Sequence, residues 1–121
     1  MTIAPDILFG HCYGRYAIAA INVFTLEQVL GVFRAASRAV SPVIIQTTPM
    51  ARDYAGGEVL AGLVKAAAVS YPDVVYALHL DHGNEAHIAS ALRSGEYASV
   101  MIDASHDPFE QNIRRTKAVV E

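Results

Sequence analysis

Four stretches of the chain are almost continuously apolar, rich in β-branched residues, and close on polar or turn-forming ones: YAIAAINV (16–23), PVIIQTT (42–48), VVYALHLD (74–81) and YASVMID (97–103). Each has the length and bounding of a buried strand. Their starts lie 26, 32 and 23 residues apart, and the segments between them change to helical spacing. Leu26, Val29, Leu30, Phe33 and Ala36 line one side of a first helix, which Thr25 opens as a capping box with Gln28. A second helix is predicted over 57–70, with Val59, Leu60, Leu63, Val64 and Ala67 as its apolar side. It stops before Tyr71 and Pro72, because a residue preceding proline avoids the α region. A third, shorter helix is predicted over 85–93, and a fourth from Pro108 with Asp107 as its N-cap. Residues 5–11 predict a short opening helix.

Strands apolar along most of their length, alternating with helices, belong to a parallel sheet covered by helices and joined by right-handed crossovers. The pattern is α/β, one strand and one helix repeated four times. Such units build either a (β/α)8 barrel, at about 31 residues per unit, or a doubly wound open sheet. The last helical pattern, KAVVE, is followed by no closing strand, which favours the barrel. Residues 1–121 are therefore expected to be the N-terminal half of a single TIM-barrel domain, with the opening helix plugging its bottom.

Hydrophobic residues make up 53% of the chain and charged residues 17%, which is a globular composition. A net charge of −3 without a cluster of Lys and Arg argues against nucleic acid and membrane surfaces as partners. No apolar run approaches the roughly 20 residues of a spanning helix, and the first residues lack a signal-peptide pattern, so a cytoplasmic location is expected. Cys12 is the one cysteine, which excludes an intrachain disulfide and a cysteine zinc finger.

The apolar runs turn polar where they end: Asn22 on the first, Gln46 and Thr48 on the second, His79, Asp81 and His82 on the third, Asp103 on the fourth. In a parallel sheet these ends converge on one crevice, the usual ligand site of barrels and open α/β sheets alike. Polar strand ends also arise simply because loops are wet, and Gln46 fits either reading. Asp81 between two imidazoles is harder to explain that way, since a carboxylate at the rim of a buried strand is costly unless it is used. Within HLDHG, Gly83 is read as the hinge that bends the backbone so that His82 points inward beside Asp81. A neutral imidazole there can serve a zinc-like ion while the neighbouring carboxylate shuttles a proton. By itself His79 reads as a satisfied core histidine, and His11 and His87 as solvent-facing.

INVFTLEQV, SPVIIQTT, ARDYAG, ALHLDHG and SVMIDASHDPFEQNI, in this order and at these separations, closely resemble the N-terminal half of class II ketose-bisphosphate aldolases, the fructose- and tagatose-bisphosphate enzymes. The resemblance covers about 16–121 and implies a (β/α)8 barrel. It further implies that Asp81 is the acid/base that handles the C4-hydroxyl proton, that His82 is a ligand of the catalytic zinc, and that Asn22 hydrogen-bonds substrate near the reacting carbons. Thr48 stands where the family usually has a substrate-contacting serine, and Asp103 where it has an acidic residue near the metal, associated with a second cation. Ala104 replaces a glycine frequent in the family. The other zinc histidines and the phosphate-binding loops of the family belong to the second half of the barrel.

The implied reaction is zinc-dependent, reversible aldol cleavage of a ketose 1,6-bisphosphate to dihydroxyacetone phosphate and glyceraldehyde 3-phosphate. Lys65 and Lys117 both fall in helices, away from a Schiff-base position, which leaves a metal as the electron sink. Two alternatives stay open: another metal-dependent barrel enzyme, such as a hydrolase using the same HxDH cluster, and an inactive half-barrel with a scaffold role. A half-barrel leaves open sheet edges and an exposed apolar interior, so homo-oligomerisation is expected.

Overall fold

The computed structural model describes residues 2–121. Its elements alternate as α1 (Pro5–Cys12), β1 (Ala19–Asn22), α2 (Leu26–Ala39), β2 (Val43–Thr47), α3 (Pro49–Ala55), α4 (Gly57–Ser70), β3 (Tyr76–Gly83), α5 (Glu85–Ser94), β4 (Ser99–Ile102) and α6 (Phe109–Val120). The strands form one four-stranded sheet in sequence order β1-β2-β3-β4, with every neighbouring pair parallel. That order is the one a barrel requires, and it lacks the strand-order reversal of a doubly wound sheet.

Period-two alternation divides the sheet into two faces. The outer face carries Val43, Ile45, Tyr76 and Leu78, which pack on Val29, Phe33 and Ala36 of α2 and on Ala61, Val64 and Ala67 of α4. Leu80 continues this face onto Ile88 and Ala91 of α5. On the inner face Leu8 of α1 packs with Ile44 and Ala77, so the opening helix plugs the bottom of the half-barrel, as its sequence position predicts. One register line then crosses the inner face from Asn22 to Gln46, His79 and Ser99.

Local signals explain most helix boundaries. Thr25 accepts from the Gln28 backbone N–H at 3.4 Å, while the Gln28 side chain reaches past Thr25 to the Phe24 N–H at 2.9 Å. Such a cap contributes about 1 kcal/mol. Helix α4 ends at Ser70 with Tyr71 as its C-cap, in agreement with the proline rule.

One helix was not expected, and two expectations need correction. Helix α3 occupies PMARDYA between its caps Thr48 and Gly56, a stretch with no apolar period and a proline at its start; the Thr48 oxygen caps it by accepting from the Ala51 N–H at 3.2 Å. Asp107 does not cap α6: the N-cap is Pro108, with no side-chain cap bond, and the Asp107 carboxylate instead pairs with Arg115, eight residues and about two helical turns along. Finally, His87 is not solvent-facing. Its ring lies between the Asn84 side-chain oxygen at 2.7 Å and Asp53 at 3.0 Å, tying α5 to α3.

Candidate active site

The third strand carries the decisive irregularity. Leu80 pairs with Val100 and Gly83 with Ile102, so two residues of β3, Asp81 and His82, face the single residue Met101 of β4. This is a β-bulge, and it cancels the alternation that would send consecutive side chains to opposite faces. His82 itself takes the left-handed conformation, at φ 54°, whereas Gly83 keeps an ordinary backbone. The hinge expected at Gly83 is therefore at His82. Histidine is among the few non-glycine residues enriched in that region.

Gly83 serves another purpose. A Cβ there would come within 2.8 Å of both Ile88 Cγ1 and Leu80 Cδ2, so only glycine lets the end of the strand close against α5.

The bulge places two side chains at the rim with different surroundings. Asp81 is recessed, its side chain 15% exposed, and its Oδ2 accepts from Asn22 Nδ2 at 3.2 Å, across the intervening β2. His82 is more open at 56%, with Nε2 3.8 Å from Asp81 Oδ1. Its Nδ1 lies 3.2 Å from Asp103 Oδ2. An ionised carboxylate only accepts, so His82 donates from Nδ1 and, when neutral, keeps its lone pair on Nε2.

Asp103 is fixed in turn. Its Oδ1 accepts from the Ser105 hydroxyl at 2.7 Å and from the Ser105 N–H at 3.3 Å. The Ser105 hydroxyl, then its backbone N–H and then His82 hold the Asp103 carboxyl below the usual carboxylate range. Three contacts thus hold the two oxygens of Asp103, leaving Oδ2 with acceptor capacity beyond its bond to His82.

His79 is the satisfied histidine that its position on the strand suggests: its Nδ1 lies 2.6 Å from Ser99 Oγ. Burial pushes its imidazole below the ordinary range, against an opposing pull from Asp81. Thr48 stands at the end of β2 as the cap of α3, so its oxygen already accepts one bond while its hydroxyl hydrogen is still available to donate. Asn22, Asp81, His82 and Asp103 are thus linked through a chain of polar contacts, and Thr48 is held separately by α3.

The carboxylate–histidine pair of Asp103 and His82 has the chemistry of a metal ligand with its orienting partner. Among the described residues no group of three or more His, Cys, Asp and Glu could hold an ion. The fit is therefore to one ligand of a set. Nor is any described helix long and apolar enough to cross a membrane.

Residues 7–121 match the family model of class-II fructose-bisphosphate aldolase. The chain belongs to that family. Within it, the chain is 40% identical over 106 residues to the fructose-bisphosphate aldolase of Giardia intestinalis, covering 88% of this chain and 33% of that protein. It is 41% identical over 131 aligned positions to the class 2 fructose-bisphosphate aldolase of Synechocystis sp., covering all of this chain and 36% of that protein. The crystal structure of the YdjI aldolase from Escherichia coli K12 superposes with a TM-score of 0.89 at 34% identity, over 99% of this chain and 47% of that one. The chain thus spans about a third of the length of these curated aldolases and about half of the E. coli structure. Its fold is the (β/α)8 barrel of the family, represented here by four strands with their helices.

Proposed function

We propose that these residues form the first half of the active site of a metal-dependent ketose-bisphosphate aldolase, acting on fructose or tagatose 1,6-bisphosphate. The observation that carries this reading is the bulge in β3, which sets Asp81 and His82 side by side and gives each a different polar partner. Asp81 takes the proton of the C4 hydroxyl as the C3–C4 bond breaks, and returns it in the condensation direction. Asn22 holds that carboxylate in place and has its own oxygen free toward the substrate. Thr48 offers its hydroxyl hydrogen to the substrate from the neighbouring strand end.

His82 presents Nε2 as a metal ligand, with Asp103 fixing the ring and Ser105 fixing Asp103. A divalent ion such as zinc, when bound, polarises the ketose carbonyl and so supplies the electron sink of the reaction. Completing its ligand set takes residues beyond these 121, as the family resemblance also implies. Residues 1–121 are on this reading half of one barrel domain, and the four-stranded unit by itself is inactive and associates through its open edges.

The test joins residues 1–121 to the second half of the E. coli barrel and assays a monodisperse chimera for triose phosphate release from both bisphosphates. Cleavage that is lost on chelation and regained with zinc supports the proposal. Release of inorganic phosphate with no carbonyl product would replace it by the hydrolase reading.

A further inference from the structure

Arg52 is an unusual residue for the outer layer of a half-barrel. It is 8% exposed, yet it forms no ion pair among the described residues. Its guanidinium donates to the Tyr97 hydroxyl at 2.6 Å and to Ser90 Oγ at 3.0 Å, and it lies 5.0 Å from the Tyr97 ring centroid. Its Nε, shut off from solvent, has no hydrogen-bond partner. Guanidinium is always charged, and a buried charge without a counter-charge is strongly unfavourable.

The surroundings add to the positive potential. A Cβ at Gly57 would fall 2.6 Å from Arg52 Cζ, so the guanidinium rests directly on the first turn of α4. That helix has Gly56 as its N-cap and no side-chain cap bond, and its N-terminus carries the positive end of the helix dipole. Beside it opens a cavity of about 230 Å³ lined by Arg52, Gly57, Glu58, Ser90, Arg93 and Ser94. Arg93 likewise has no ion-pair partner among the described residues. Glu58 on the rim pairs with neither arginine. Ser90 accepts from Arg52, which leaves its hydroxyl hydrogen to donate, whereas Ser94 already donates to the Ala91 carbonyl.

We propose that this cavity, between the start of α4 and the end of α5, binds a phosphate-class oxyanion, held by Arg52 and Arg93 with the Ser90 hydroxyl and the free N–H groups of α4. The site lies among the outer helices: Arg52 contacts Tyr97, which bonds to the buried Thr47 on the helix-facing side of β2. Asp81 and His82 take no part in it.

The experiment titrates the purified protein, kept in excess chelator so that no metal site competes, with inorganic phosphate and separately with methyl phosphate, against chloride at matched ionic strength. Binding is followed by calorimetry and by the unfolding midpoint. Saturable binding and a rise in midpoint are expected with inorganic phosphate. An equal response to methyl phosphate identifies the ligand as a phosphoryl group, and no response to it identifies free phosphate. Arg93→Ala, an exposed substitution, is expected to weaken binding about tenfold or more, as the loss of a charged hydrogen bond does. Glu58→Gln is expected to tighten it. Arg52→Lys, which keeps the charge and loses the fork, tests the buried partner, with Arg93→Ala as the safeguard should that variant not fold. No saturable phosphate binding by the unaltered protein, or binding unchanged by Arg93→Ala, overturns the proposal.

Discussion

Adding one methyl group at Gly83 tests how the bulge is held. In Gly83→Ala the new Cβ meets Ile88 Cγ1 and Leu80 Cδ2 at 2.8 Å, well inside ordinary van der Waals contact. Neither neighbour has room to retreat: Leu80 is 0% and Ile88 3% exposed, and they pack on each other and on Ala91. Overpacking of this kind costs about 1–3 kcal/mol. For a chain of this length that corresponds to a fall of roughly 3–15 °C in Tm. The strain falls beside His82, already left-handed, so the displaced strand end should also loosen the Asp103–His82 contact. Calorimetric unfolding reads the first effect. A double-mutant cycle with Ile88→Ala reads its cause, since truncating Ile88 vacates the space the methyl needs. The double variant should be less destabilised than the two singles summed, by about 0.5–3 kcal/mol. A Gly83→Ala protein within about 0.5 kcal/mol of the parent, or strict additivity with Ile88→Ala, would refute the packing account.

Other outcomes follow from single residues. Asp103→Asn should lower zinc affinity in the completed barrel about 10–100-fold by releasing the His82 ring, with little change in Tm; competition with a chromogenic chelator measures it. Burial keeps the folded-state pKa of His79 below its unfolded value of 6.5, so its stability contribution is full above that pH and is lost as pH falls through the lower folded value. Unfolding free energy should therefore drop from about pH 7 to pH 5, and denaturant titrations of His79→Gln should show a shallower drop. Val40 caps α2 in the left-handed region at φ 49° and is 92% exposed, so Val40→Gly should stabilise the protein by about 1 kcal/mol in the same assay.

The strands and long helices were legible because their signals are local. The apolar runs predict all four strands within a few residues, and the capping residues and Pro72 delimit α2 and α4. Helix α3 was hidden because its seven residues carry no apolar period and sit among proline and glycine. At the site, the strand-end positions of Asn22, Asp81 and His82 could be read directly, but their partnerships could not. The Asn22–Asp81 bond crosses two non-adjacent strands, and the Asp103–His82 bond depends on a bulge whose left-handed residue is a histidine beside a glycine that looks the better candidate. Arg52 escaped notice because its burial arises from tertiary packing against α4, α5 and Tyr97. The period of α3 gives no sign of that.

The division of labour between Asp81 and His82 is the centre of the account, and zinc content measured alongside the cleavage rate tests it most directly. In the completed barrel, Asp81→Ala should keep a full complement of zinc while kcat falls by about two to four orders of magnitude, the usual contribution of a positioned acid/base. His82→Ala should lose zinc and activity together. Zinc lost from Asp81→Ala in step with its activity, or a zinc-replete and active His82→Ala protein, would contradict the assignment.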